Sequence, residues 1–140
     1  MVWINIGIGI ALIIITILNH SIATKFAIHL SKRAKNSKYT HMNQISEVWI
    51  ALLVLMMFFA SFLEASIWAG FYYLIGALPD FEIALYFSIV TFTTLGYGDV
   101  TLPEQWNLLG SIQAAIGIIV FGWSTAIVML VVQRLYFDKS

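Results

Sequence analysis

The sequence contains no cysteine, which excludes disulfide bonds and thiolate metal sites. Charged residues are also scarce, since they make up 10% of the chain, whereas soluble domains have about a quarter. Hydrophobic residues reach 61%, above the roughly half that is usual in soluble domains. This composition predicts an integral membrane protein.

Three long apolar stretches account for the excess of hydrophobic residues: 2–18, 48–68 and 108–132. A helix needs about 20 apolar residues to cross the hydrocarbon core of a bilayer, with a range of about 17 to 25. Each stretch is therefore predicted to span the membrane. The first has no basic residue before Lys25 and is longer than the apolar part of a secretory signal. It is expected to be a retained helix.

The distribution of charge predicts the orientation in a cell membrane, either the plasma or the inner membrane. Five of the seven basic residues lie between the first two apolar stretches: Lys25, Lys32, Arg33, Lys35 and Lys38. Cytoplasmic loops carry the excess of lysine and arginine. The N-terminus is therefore expected outside, and a basic loop at 20–46 and the C-terminus inside. Residues 70–106, which contain acids and no base, are expected outside.

A fourth apolar segment, residues 81–93, is too short to cross the membrane and fits a re-entrant helix. Asp80 is a suitable N-cap, and Glu82 adds negative charge to the first turn, where the helix dipole favours it. Gly96 and Gly98 are expected to end the helix, after which the chain returns in an extended form.

Residues 94–98, with the sequence TLGYG, place irregular backbone at membrane depth. Such backbone is tolerated only inside protein or beside a watery cavity. Carbonyl groups at the negative end of a helix suit a cation. Glycines at alternate positions permit backbone angles that aim successive carbonyls to one side. The segment is therefore predicted to contact a cation.

Thr94-Leu95-Gly96-Tyr97-Gly98, followed by Asp99 and placed after a half-helix between two spans, resembles the selectivity filter of potassium channels. The resemblance covers about residues 46–134. It implies a homotetramer without cofactor or enzymatic activity, in a lipid bilayer and with no nucleic acid partner. K⁺ would pass along the backbone carbonyls of the five filter residues and the Thr94 hydroxyl. Na⁺ would be disfavoured.

Two positions depart from the family pattern. Leu95 replaces the usual valine, which changes the packing volume behind the carbonyls. Val90 stands where some relatives place a glutamate that interacts with the filter aspartate. Asp99 is therefore expected to have another partner, or water.

The expected fold is an all-α membrane protein with three transmembrane helices, a re-entrant pore half-helix and an extended filter, assembled as a fourfold ring. Its parts are predicted as an N-terminal helix at 1–19, a basic loop at 20–46, a pore domain at 47–134 and a tail at 135–140. Within the pore domain the bounds are 47–76 for the outer helix, 80–93 for the pore helix, 94–98 for the filter and 107–132 for the inner helix.

Six residues are predicted to support the filter: Thr93, Asp99, Tyr86, Phe87, Glu64 and Trp68. Glu64 is the one acid inside an apolar stretch, and such a residue is a functional-site hypothesis. It is predicted to face the pore helix and to bond the filter backbone or Trp106. The alternative is a solvated acid at headgroup level. The resemblance implies that Tyr86 and Phe87 form a cuff around Tyr97, and ordinary core packing is the alternative.

Gly117 and Gly122 in the third span are a possible gating hinge, and the resemblance favours Gly117. The alternative is close helix packing, for which membrane helices use small residues.

Three further functions stay open. Leu95 leaves room for a less selective cation channel, and the chain could also be a non-conducting accessory subunit. An intramembrane hydrolase using Ser124 would need a histidine at membrane depth. His20, His29 and His41 are all assigned to the flanks of the basic loop, so no catalytic residue is expected.

Overall fold

The structure is a computed structural model that describes residues 1–35 and 43–136. Its elements are α1 at Val2–Lys35, α2 at Asn43–Leu74, α3 at Phe81–Phe92, a 3-10 turn at Glu104–Trp106 and α4 at Asn107–Tyr136. Helices α1, α2 and α4 are long and apolar enough to cross a membrane, whereas α3 is too short. The prediction of an all-α protein with three spanning helices is confirmed for the described residues.

Helix α1 is longer than predicted. It continues to Lys35, so the expected end at residue 19 is wrong. Neither glycine nor proline occurs between Gly9 and Gly70, and lysine is a good helix former. The change from apolar to basic residues ends the hydrophobic part of α1 but does not end the helix. Residues 43–46 of the predicted basic loop belong to α2, which begins at Asn43 rather than 47. Residues 36–42, including Lys38 and His41, and residues 137–140 lie outside the described residues.

The ends of α2 and α3 have recognisable caps. Gly76 follows α2 with a φ of 66°, and its backbone N–H donates to the carbonyl of Tyr73 at 3.0 Å. This left-handed glycine is a common helix terminator, and it places the end of α2 at Leu74 rather than 76. At the start of α3, the Asp80 carboxylate accepts from the Ile83 N–H at 2.8 Å, as predicted for an N-cap.

Helices α1 and α4 run parallel to each other. The Asn5 side chain donates to the carbonyl of Gln105, at the start of α4, over 2.7 Å. Further along both helices, His20 Nε2 lies 3.3 Å from Ser124 Oγ. The first residues of α1 therefore lie beside the segment that connects α3 to α4.

Helix α2 runs in the opposite direction against α1. The Trp68 indole donates to the Thr16 hydroxyl at 3.1 Å. One turn later in α1, His20 Nδ1 lies 3.1 Å from Oε1 of Glu64, which is one turn earlier in α2. The far ends of α1 and α4 thus lie at one end of the bundle, and residues 77–106 lie at the other.

This arrangement separates the charges. Lys25 and Lys32 on α1 and Arg134 on α4 lie towards the end of the bundle opposite residues 77–106. The acids of the other end are all exposed: Asp80, Glu82, Asp99 and Glu104. The first end also carries one acid, Glu47 at the start of α2, so it is basic on balance, whereas the other end carries acids alone.

Helix α3 ends against α4 at Gly117. A Cβ atom on Gly117 would collide with the backbone carbonyl of Phe92, the last residue of α3. A backbone atom cannot give way as a flexible side chain can, so only glycine permits this contact. The packing interpretation of Gly117 is supported, and α4 continues unbroken through both Gly117 and Gly122. A hinge at either residue stays a prediction.

Gly117→Ala is expected to destabilise the bundle by about 1–3 kcal/mol, the usual cost of overpacking. Gly122→Ala is the matched control on the same helix, because no atom beyond its chain neighbours and its own helix backbone lies within 4 Å of the position that its added Cβ would occupy. It is expected to be neutral or stabilising by up to about 1 kcal/mol. Thermal unfolding in detergent, followed by circular dichroism, measures both. Equal midpoints for the two variants would contradict the close contact between α3 and α4.

Candidate functional site

The TLGYG segment, residues 94–98, has left-handed backbone at every second residue. The φ angles are 59° at Thr94, 57° at Gly96 and 76° at Gly98. Two of the three positions are the glycines that the sequence pattern assigns to such angles. An alternation of backbone handedness allows successive carbonyls to be aimed to the same side.

The N–H groups at the start of this segment are held by the end of α3. Leu95 N–H donates to the carbonyl of Val90 and Thr94 N–H to that of Thr91, both at 2.9 Å. This pair of bonds is a Schellman motif, which normally has glycine at the left-handed position, as α2 has with Gly76. A β-branched residue at a positive φ is strained, and such strain is found at functional sites. The strain at Thr94 therefore supports a functional role for this residue.

The carbonyls of residues 94–98 differ from the N–H groups of the segment in their hydrogen bonding. Gly96 N–H donates to the carbonyl of Val90 at 3.3 Å. The hydroxyl of Thr93, just before the segment, donates to the carbonyl of Ile89 in α3 at 2.8 Å. The segment is thus anchored through its donors, and its carbonyls accept no hydrogen bond within the described residues. The ligand that suits a row of carbonyls is a cation.

Asp99 has a partner that the sequence did not reveal. The Tyr86 hydroxyl donates to Asp99 Oδ2 at 2.6 Å, so this bond ties α3 to the chain after the TLGYG segment. The bond lowers the pKa of the Asp99 carboxyl below its usual range and raises the pKa of the Tyr86 phenol. Tyr97 also contributes to the raised pKa of the Tyr86 phenol, and the cuff of Tyr86 around Tyr97 stays a prediction. The sequence gives one indication of the bond to Asp99: Val90 stands where some relatives have a glutamate, so Asp99 needs another partner.

Phe87 and Trp68 lie in the core between helices. The Phe87 ring packs edge-to-face against Tyr72 on α2, with centroids 5.5 Å apart. Trp68 is fully buried and donates to Thr16 on α1. For Phe87 this is the packing alternative rather than a cuff around Tyr97. Trp68 bonds α1 and not the TLGYG segment.

A buried polar network behind α3 was missed in the sequence. The Tyr72 hydroxyl donates to Gln113 Oε1 at 3.0 Å, and Gln113 Nε2 donates to the carbonyl of Ser88 at 3.2 Å. The Ser88 hydroxyl in turn donates to the carbonyl of Ala65. These bonds join α2, α3 and α4 and fix α3 in the bundle. The available signal was Gln113 itself, because polar side chains inside membrane spans bond neighbouring helices.

The predicted orientation of Glu64 is wrong. Its carboxylate is fully buried, and Oε1 accepts from the Asn19 side chain at 3.0 Å while lying 3.1 Å from His20 Nδ1. Both partners belong to α1. Within the described residues, no hydrogen bond joins Glu64 to the TLGYG segment or to Trp106. The reason is that α1 occupies the face of α2 that contains Glu64, a contact that no local sequence pattern reports.

The assignment of every histidine to the loop is also wrong for His20. It is fully buried within α1, where its Nε2 contacts Ser124 and its ring meets Trp123 edge-on with centroids 5.2 Å apart. Ser124 therefore contacts His20, and His20 contacts Glu64, which is the sequence of contacts found in a serine–histidine–acid catalytic triad. Ser124, however, lies within a continuous helix, whose N–H groups are used in helical bonds. Those N–H groups are not free to stabilise an oxyanion.

A family model described as an ion channel matches residues 45–134. The match covers α2, α3, the TLGYG segment and most of α4, and it leaves α1 outside. Comparisons with curated proteins and with solved structures found no match.

Tyr86→Phe is expected to raise the pKa of Asp99 towards its ordinary value, because the hydroxyl bond is the largest cause of the lowering. Carbon-13 NMR of the Asp99 carboxyl measures the titration. A lowered pKa means that Asp99 stabilises the fold above its ordinary pKa and loses this effect as the pH falls through the lowered value.

Tyr73→Phe is the control for this substitution, since Tyr73 is exposed and packs edge-to-face on Phe81. It is expected to leave the Asp99 titration unchanged. An unchanged Asp99 titration in Tyr86→Phe would contradict the assigned bond.

Proposed function

The chain belongs to the ion channel family, and from this premise we propose that it is a homotetrameric, potassium-selective channel. Four copies of residues 94–98 line one pore. Dehydrated K⁺ moves along their backbone carbonyls, with the Thr94 hydroxyl as a further ligand. The protein is a passive transporter and not an enzyme.

The observation that carries this proposal is the backbone of the TLGYG segment. Positive φ angles alternate at Thr94, Gly96 and Gly98, and the hydrogen bonds at its start engage N–H groups of the segment, not its carbonyls. The C-terminal end of α3, which is the negative end of its dipole, directly precedes these carbonyls. Unbonded carbonyls at that position favour a desolvated cation.

The exposed side chains of the segment support assembly. Leu95 is 55% exposed and Tyr97 66% exposed in the single chain. Both side chains are large and mostly apolar, so this exposure is unfavourable in water. Neighbouring copies would cover them. A single segment also cannot surround an ion, whereas a closed cyclic ring repeats one interface and provides carbonyls from all sides.

The two ends of the bundle support an orientation in a cell membrane. The basic end, with Lys25, Lys32 and Arg134, suits the cytoplasm. The acidic end suits the outside, where carboxylates raise the local concentration of cations at the pore mouth. The N-terminus then lies outside and the C-terminus inside.

A less selective cation channel is the alternative that a specific residue favours. Leu95 is bulkier than the valine of the family pattern, and it changes the packing behind the carbonyls. Gly96-Tyr97-Gly98 is unchanged from that pattern, which favours the selective channel.

Proteoliposomes that contain only this chain are expected to release K⁺ down its gradient, and Ba²⁺ is expected to block the release. Gly96→Ala is expected to reduce the flux at least tenfold, because alanine resists the positive φ of Gly96. Apart from the adjoining residues Leu95 and Tyr97, no atom of the described residues lies within 4 Å of a Cβ at that position, so the effect comes from the backbone.

Gly70→Ala is the matched control, since Gly70 is helical and also has no neighbour within 4 Å of an added Cβ. Its flux is expected to equal that of the wild type. Absence of K⁺ release from a purified tetramer would favour the non-conducting accessory subunit over the channel.

A further inference from the structure

Four polar side chains from three helices meet inside the bundle. Asn19 and His20 come from α1, Glu64 from α2 and Ser124 from α4. Glu64 and His20 have no exposed surface. We call these four residues the α1 cluster. Because Ser124 lies seven residues beyond Gly117, the cluster is about 10 Å further along α4 than the end of α3.

The α1 cluster has an unusual charge balance. Within the described residues, no lysine or arginine lies within ion-pair distance of Glu64, and its ion-pair partner is His20 at 3.1 Å. The pair is neutral when it holds one proton, on either the carboxyl or the imidazole. A second proton gives it a net positive charge, and loss of the first gives a negative charge. Either charge is costly in a dry interior at membrane depth.

The groups that face His20 from each neighbouring helix leave Glu64 as its titratable partner. Helix α2 presents Glu64, and α4 presents the Ser124 hydroxyl and the Trp123 ring, which carry no charge. On α1 itself the neighbour Asn19 is neutral, and the closest charged residue, Lys25, is exposed. Helix α3 and its acids lie at the other end, where Tyr86 bonds Asp99.

One atom of the cluster provides a site for a further proton. Glu64 Oε2 is buried and has no hydrogen-bond partner among the described residues, so the carboxyl has a free site for a proton. Ser124 also lines a groove of about 300 Å³ between α2 and α4, beside Ser61, Thr125 and the apolar side chains of Val54, Met57, Phe58, Phe121 and Val128. A mostly apolar lining keeps water out, so the cluster is dry in this state and proton uptake needs the helices to part.

We propose that the α1 cluster is a proton-binding site that couples the N-terminal helix to opening of the pore. In the neutral state, His20 bridges Glu64 on α2 and Ser124 on α4 and holds the three helices together. Uptake of a second proton charges the cluster, so the proton binds better to a state in which the helices part and water enters. By linkage, acid then shifts the population towards that state. This inference rests on the proposed channel function for its effect on flux.

The first test is K⁺ flux from proteoliposomes with the same pH on both sides. Lowering the pH from about 7.5 to about 5.5 is expected to raise the flux at least fivefold, the lower end of ordinary coupling of about 5- to 150-fold. His20→Gln and His20→Asn cannot form the positive cluster, and they are expected to lose the rise. His29→Gln is the matched control, because His29 is exposed on the same helix, and it is expected to keep the rise.

Ser124→Ala tests the connection to α4. It leaves the Glu64 and His20 pair intact but removes the bond to the pore-side helix, so the response to acid is expected to fall to less than half of the wild-type rise. Ser111→Ala is the control on the same helix, since the Ser111 hydroxyl bonds its own helix at Asn107.

A second measurement does not depend on conduction. Nitrogen-15 NMR of the His20 ring in bilayers reports proton uptake, and the midpoint of its titration is expected to differ between wild type and Glu64→Gln. His29 is expected to titrate identically in both proteins. Equal His20 midpoints would overturn the shared proton site.

The two proposals fail in different ways. If no K⁺ flux occurs at any pH but His20 and Glu64 titrate together, the channel function fails and the proton site stands without its coupling to conduction. If K⁺ flux occurs and does not respond to pH, the proposed coupling is overturned and the channel stands. Retention of the acid response in both His20 variants would also overturn it.

Discussion

The peptide groups of residues 94–98 lie outside any helix, although the chain has three helices that can span a membrane. The N–H and C=O groups of this segment therefore need polar partners that lipid cannot supply. An unpaired backbone group in lipid costs several kcal/mol. The end of α3 takes the first N–H groups of the segment through Val90 and Thr91. The carbonyls accept no hydrogen bond within the described residues, and we propose that a cation is the partner that satisfies them. The strained Thr94 shows that the chain keeps this backbone at an energetic cost.

The helices around the segment fix its position from two sides. Gly117 lets α3 end directly on α4, and Gln113 joins α4 to Ser88 and Tyr72. After the segment, the bond from Tyr86 to Asp99 returns the chain to α3. These contacts come from α2, α3 and α4, which are the helices that the ion channel family model matches. Helix α1 lies outside that match and contributes a different set of contacts.

The parts that could be predicted from the sequence are those with local causes. A short apolar run after Asp80 predicts a capped half-helix, and the glycines of TLGYG predict the left-handed positions. The long apolar runs predict the spanning helices. The end of α1 could not be predicted from its charges, because lysines are frequent in cytoplasmic loops but here continue the helix to Lys35.

The positions of Glu64 and His20 could not be predicted, because they depend on how α1 packs. A carboxylate in a span is visible in the sequence, but its direction is set by a helix more than forty residues away. The same holds for Gln113, whose partners lie on two other helices. Asp99 is an intermediate case, since the absence of a glutamate at Val90 indicated that a partner was missing without identifying Tyr86.

The central claim is that the carbonyls of residues 94–98 replace the hydration shell of K⁺. The most direct test is the reversal potential of the purified protein in a planar bilayer with K⁺ on one side and Na⁺ on the other. The reversal potential is expected close to the K⁺ equilibrium value, with little current carried by Na⁺. A reversal potential near zero, which means equal permeability to the two ions, would contradict this claim.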